Sequence, residues 1–315
     1  MPRTKLLIDC DPGHDDAVAI LYAARHCDLL AITTVHGNNS VENVTRNALS
    51  VLTLAGLNIP VAAGCAEPLA GRKGQAADVH GEGGLEGADL PEPDRAPVGA
   101  HAVDLIIETA RRHEGELVLA VIGPATNAAM ALKREPRLAG WLREITVMGG
   151  SAGLGNITPA AEFNAWSDPE AAAVVYNCGA PVRMVGYDVT SRTGIAERDI
   201  ARLTGGGCVA QTVGKLLAFY LGQQRQLLGL DIAPMHDVCA VVPYVQENLI
   251  TYHRCHVAVE LAGALTRGMT VCDLRRLTRE GKALRASGES NVQLAVDADS
   301  PRLIDHVVET LLAYP

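Results

Sequence analysis

Four carboxylates fall within the eight residues Asp9-Cys10-Asp11-Pro12-Gly13-His14-Asp15-Asp16. Charges that close repel one another unless a cation neutralises them. Pro12 and Gly13 supply a tight turn, so several of these side chains can face one point. Hard oxygen ligands in number suit calcium or magnesium, not zinc. A single Asp here would serve as a helix cap, where the dipole favours negative charge. A cluster opening directly from the apolar run Lys5 to Cys10 fits that role poorly and predicts a metal site.

Other polar groups recur at the ends of apolar runs. Asn38 follows Leu29–Val35, and Thr126-Asn127 follows Leu117–Ile122. The stretch Asn156 to Asn164 follows Glu144–Met148, and His236-Asp237 opens a late helix. The runs alternate with helical spacing over Asp15–His26, a Ser40-capped segment to about Ala55, Thr126–Lys133, Asp168–Cys178, Ile200–Leu230 (mostly helical, with Gly interruptions) and Pro301–Leu312. Pro181–Tyr187, His256–Glu260, Thr270–Asp273 and Asn291–Val296 complete the predicted strands. Near-continuous apolar strands joined by helices predict an α/β fold: one mainly parallel open sheet with helices on both faces. No repeat or domain-separating linker interrupts residues 1–315, which read as a single domain. Residues 70–97, rich in Gly, Pro and charge, read as a long functional loop inside it. In open α/β sheets ligands sit beyond the carboxyl ends of the strands, so these distant groups are predicted to converge.

Composition removes other classes. The net charge is −9 with no basic block, which argues against nucleic acid and against an anionic membrane surface. No stretch approaches a membrane span, and the first apolar run is too short for a signal segment. The eight cysteines are scattered without a Cys-x-x-Cys pair and read as reduced, buried thiols. His253-Arg254-Cys255-His256 lacks a partner pair at zinc spacing and lies in a strand-like run. A cytoplasmic protein is expected.

The chain resembles the inosine-uridine-type nucleoside hydrolase family over nearly its whole length. The most specific match is Asp9-Cys10-Asp11-Pro12-Gly13-His14-Asp15-Asp16-Ala17. Supporting matches, in order, are Gly37-Asn38, His80-Gly81-Glu82-Gly83-Gly84-Leu85, Gly123-Pro124-Ala125-Thr126-Asn127, Met148-Gly149-Gly150, Asn156, Glu162-Phe163-Asn164 and His236-Asp237. The resemblance implies a calcium-dependent hydrolase of the N-glycosidic bond of ribonucleosides. It implies that Asp11, Asp16 and Asp237 bind calcium through side chains and Thr126 through its carbonyl. Asp15, Asn38, Met148, Asn156, Glu162 and Asn164 would hold the ribose. Asp11 would be the base acting on a calcium-bound water, and His236 the acid for the leaving base. The physics agrees: the transition state is an oxocarbenium-like ribosyl cation, which anionic and amide oxygens stabilise. Histidine suits proton transfer near neutrality. His80 stands open between contact with the base from a lid and a plain loop histidine.

Base preference is carried by Phe219 to Leu230 in the resembled family. This chain offers Tyr220 and Gln224 there, with Leu228 where a tyrosine would be expected. Gln224 and the histidine of the acidic motif point to pyrimidine nucleosides, uridine and cytidine. Purine-inclusive activity, or another ribosyl compound such as nicotinamide riboside, are the alternatives. A haloacid-dehalogenase-like phosphatase would not place Pro12-Gly13 after Asp-x-Asp, and a nucleoside-binding protein would need neither base nor acid. A small homo-oligomer, dimer or tetramer, is the expected assembly.

Overall fold

The computed structural model describes residues 2–71, 81, 83–277 and 290–315. Its strands are β1 (Lys5–Cys10), β2 (Asp28–Thr34), β3 (Val61–Ala63), β4 (Leu117–Val121), β5 (Glu144–Met148), β6 (Val182–Val185), β7 (Gly194–Ala196), β8 (Ile232–Pro234), β9 (Ile250–Cys255), β10 (Val257–Val259), β11 (Thr270–Cys272) and β12 (Val292–Ala298). Its helices are α1 (His14–His26), α2 (Val41–Leu54), α3 (Ala102–Arg112), α4 (Thr126–Arg134), α5 (Leu138–Trp141), α6 (Phe163–Ser167), α7 (Pro169–Tyr176), α8 (Tyr187–Thr190), α9 (Glu197–Leu203), α10 (Cys208–Leu228), α11 (Val238–Val241) and α12 (Ser300–Leu312).

Eight strands form one sheet in the order β3-β2-β1-β4-β5-β6-β12-β9. All neighbours are parallel except β12 and β9. Every residue of β4 and β5 is buried, as a strand covered on both faces requires. Alternate side chains feed two separate cores. Leu6, Ile8 and Cys10 pack with α1, α10 and α12 residues, while Leu7, Leu119 and Val121 pack with residues of α3, α4 and α7. The α/β class, the parallel sheet and the two helical layers follow the sequence pattern.

The structure departs from that pattern in detail. Val257–Val259 and Thr270–Cys272 do not join the main sheet; they pair with each other as an antiparallel ribbon. The short antiparallel pair β7–β8 is a second ribbon. The mostly helical stretch 200–230 is two helices, interrupted as its glycines predict at Gly205, Gly206 and Gly207. α10 ends at Gly229, whose left-handed φ of 66° closes it without a Cβ penalty. Cys208 is exposed, against the expectation of buried thiols, although all eight cysteines are free. Among the described residues, no helix is long and apolar enough to cross a membrane.

Strand order reverses between β1 and β4. From β1 the chain proceeds outward through β2 and β3, and from β4 it proceeds the other way through β5 and β6. Loops leaving the carboxyl ends of β1 and β4 therefore diverge and open a crevice, the usual ligand position in such sheets.

Candidate active site

The acidic turn leaves β1 at this crevice and runs straight into α1. Asp16 folds back to cap the helix: its carboxylate accepts from the Gly13 N–H at 2.9 Å and the Asp11 N–H at 3.2 Å. Asp11 is held in a slot with glycine walls. A Cβ on Gly37 would lie 1.9 Å from Asp11 Oδ2, and one on Gly123 would lie 2.5 Å from Oδ1. Asn38, next to Gly37, donates its backbone N–H to Asp11 Oδ2 at 2.7 Å and its Nδ2 to the Asp11 carbonyl at 3.0 Å.

Asp15, Asp16 and Asp237 offer carboxylate oxygens that all lie within 4.8 Å of one another, and all three residues are buried. Burial, reinforced by neighbouring carboxylates, pushes Asp15 up to about 8. Burial raises Asp16 to about 6, and raises Asp11 and Asp237 well above the usual carboxylate range. Four ionised carboxylates cannot share this space without a counter-charge. The donor set is all hard oxygen, so the residues present fit a calcium-type cation. The converging trio includes Asp15, whereas Asp11 is turned toward the Asn38 N–H.

Asp9 lies one layer beneath. It accepts from Thr33 Oγ1 at 2.6 Å and Asn127 Nδ2 at 2.8 Å, while its Oδ2 is buried without a partner. Thr126 begins α4, and its hydroxyl bonds Asp168 Oδ2 at 2.7 Å and His36 Nε2 at 2.9 Å. It does not line the cavity.

A single cavity of about 240 Å³ collects Asp11, Asp15, Asn38, Met148, Asn156, Glu162, Asn164, Gln224, His236 and Asp237. Glu162 caps α6, accepting from the Asn164, Ala165 and Gly150 N–H groups. Burial still raises it to about 7. Asn164 Nδ2 ties the ends of β4 and β5 together through the Ile122 and Met148 carbonyls at 2.9 and 3.1 Å, which turns its Oδ1 into the group left for a ligand. Asn156 Oδ1 takes the Phe163 N–H at 2.8 Å and leaves its amide nitrogen.

The opposite wall is α10. Tyr220 and Gln224, one turn apart on one face, are both buried, and the exposed Leu227 and Leu228 extend the wall to the rim. Behind Tyr220 stands His14. Its ring stacks on Tyr220 with centroids 5.3 Å apart, and its Nε2 bonds the Glu86 carbonyl at 2.8 Å. His236 Nδ1 bonds Thr190 Oγ1 at 2.7 Å. Desolvation lowers this half-buried imidazole to about 4.

Residues 6–305 match the family described as inosine-uridine preferring nucleoside hydrolase. The chain belongs to that family. It is 41% identical to the pyrimidine-specific ribonucleoside hydrolase RihA of Citrobacter koseri, over 98% of each chain. It superposes on a plant nucleoside hydrolase with a TM-score of 0.91 at 32% identity, covering 99% of this chain and 100% of the other. A purine-preferring ribonucleoside hydrolase from Gardnerella vaginalis gives a TM-score of 0.89 at 29% identity, covering 98% of each.

This nucleoside hydrolase thus gathers ten of its sequence-predicted site residues into one cavity, with Asp16 and Thr126 behind it. His80 lies outside the described residues. Two contributors escaped the sequence reading. The sequence pattern puts Tyr187 at the end of a strand, but β6 ends at Val185 and Tyr187 opens α8, where it lines the cavity 5.8 Å from the His236 ring. Its place just past a strand end was the available signal. Thr190, which holds His236, had none.

Proposed function

We propose that this hydrolase cleaves pyrimidine ribonucleosides, uridine and cytidine, to ribose and free base with calcium bound among Asp11, Asp16, Asp237 and the Thr126 carbonyl. The convergence of buried carboxylates with an amide and carboxylate shell in one cavity carries this reading. When bound, the cation lowers the pKa of water and orients it against the ribose hydroxyls. Asp11 accepts the proton of the attacking water. Asp15, Asn38, Glu162, Asn156 and Asn164 take the ribose hydroxyls, and their oxygens stabilise the positive charge that develops on the sugar ring. A deoxyribose would leave those buried polar groups unpaired and be rejected.

Tyr220, Gln224 and Leu228 meet the base. Gln224 offers both a donor and an acceptor, which suits the edge of a pyrimidine. The pyrimidine-specific name of the relative above supports the same preference. The fold itself does not set it, since the purine-preferring neighbour shares that fold. His236 addresses the leaving base from beside Tyr187. Residues 1–315 act as one catalytic unit, cytoplasmic and homo-oligomeric as a dimer or tetramer. Eight free cysteines fit a reducing compartment.

The test is to incubate the protein with uridine, cytidine, inosine and adenosine, with calcium or with chelator, and to follow free base by chromatography. Base release fastest from uridine and cytidine, and abolished by chelator, is expected. Release that ignores chelator removes the calcium role, and inosine as the best substrate removes the pyrimidine assignment.

A further inference from the structure

A second cavity, of about 540 Å³, lies apart from the active site. Four arginines line it from three segments: Arg192 after α8, Arg198 and Arg202 on α9, and Arg302 on α12. Among the described residues two carboxylates, Asp199 and Asp305, line it with them, and Asp299 pairs with Arg302 from beside it. A surplus of guanidinium groups stands out in a chain whose net charge is −9.

The ion pairs in place leave donors to spare. Arg202 bonds Asp305 at 2.7 Å, Arg302 reaches Asp299 at 3.4 Å, and Arg198 stands 3.8 Å from Asp199. Arg192 commits its Nε to the Asp188 carbonyl. Each guanidinium carries five N–H donors in a planar fork that matches phosphate oxygens. The first residues of α12, Ser300 and Pro301, also line the cavity, and the end of that helix is capped by the Asp299 carboxylate. The volume exceeds what a bare phosphate fills, and Ile232 and Ile304 supply apolar surface for an organic body.

The cavity backs onto the active site. Ile232 and Pro234 are the two ends of β8; Ile232 lines the arginine cavity and Pro234 lines the active site. Ser300 Oγ bonds Thr193 Oγ1 at 2.7 Å, and the Thr193 carbonyl accepts the N–H of Met235, the residue before His236, at 2.8 Å.

We propose that this arginine-lined cavity is an effector site for a small phosphate-bearing metabolite, a sugar phosphate or nucleoside monophosphate, and that its occupant shifts the active site through β8 and Thr193. Titration calorimetry with ribose 5-phosphate, uridine monophosphate, inorganic phosphate and sulfate tests the binding. An organic phosphate should bind with a Kd below about 1 mM and more tightly than inorganic phosphate or sulfate. Arg198→Ala, at an exposed side chain with a loose partner, should weaken it about tenfold while the variant's melting temperature stays unchanged. In the wild type, saturating organic phosphate should change the nucleoside KM at least twofold, and Arg198→Ala should lose that response at the same concentration.

No saturable binding, or equal affinity for sulfate, would overturn the site. Binding that leaves both KM and kcat unmoved would overturn the effector role. Calorimetry needs no turnover, so it reads out even where the proposed nucleoside cleavage fails.

Discussion

Asp11 shows how tightly one residue can be specified by its neighbours. Glycines at 37 and 123 wall its carboxylate so closely that a single added carbon would overlap it. Gly37→Ala should therefore displace Asp11 and cost about 100-fold in kcat, since a shift of about 1 Å in a reacting group has that effect. A kcat within about twofold of wild type would show that Asp11 has room to move. Asp11→Ala should remove most turnover and lower calcium affinity together, read by base release and by calorimetry; near-normal turnover would exclude it as the base. His236→Ala should impair nucleosides more than nitrophenyl riboside, whose leaving group needs no proton. Equal losses on both would assign His236 to packing. The acidic residues were legible in the sequence because their charge density demands an explanation. Thr190 was not, because a threonine at the end of a short helix looks the same whether or not it holds the His236 imidazole.

Among the elements, α10 carries the wall opposite the carboxylates, and α1 supports it from behind. The contact is the ring of His14, stacked on Tyr220 and tied to Glu86. His14→Ala would empty a buried site, with an expected destabilisation of about 2 kcal/mol in urea titration. It should also raise the KM for uridine more than it lowers kcat, because Tyr220 loses its backing. An unchanged KM would detach Tyr220 from base binding. The sequence placed α1, α2, α7 and α12 to within a residue or two, since caps such as Ser40 and Asp168 mark their starts. It failed on the β10–β11 ribbon because apolar alternation reports that a segment is extended and partly buried, not which strand it will pair with.

At the scale of the whole molecule, acid groups are concentrated where two halves of the sheet part company. Burial raises Asp16 to about 6, Asp9 and Glu162 to about 7 and Asp15 to about 8, against about 4 in an unfolded chain. The folded, metal-free protein then holds protons that the unfolded chain has released. That contribution is present below about pH 4 and is lost as pH rises to about 8, while the desolvated His14, His26 and His236, lowered to about 4, oppose it below about pH 6.5. A cation takes the place of those protons, so calcium should raise the melting temperature more at pH 8 than at pH 6. A metal-free melting temperature that is flat or rises across this range would contradict the assigned burial of charge. The convergence at the carboxyl ends was foreseeable, since polar groups stood after the four runs that became β1, β2, β4 and β5. The margins of the sheet were not. One ends in β3, only three residues long, and the other in β9, which runs against its neighbour past an irregularity in register and exposes His253 and Arg254. A stub and a bent, charged border give a stray strand little to extend. Copies of this chain should therefore meet through helices and loops, and a partly unfolded population should resist fibril growth seeded from the native sheet.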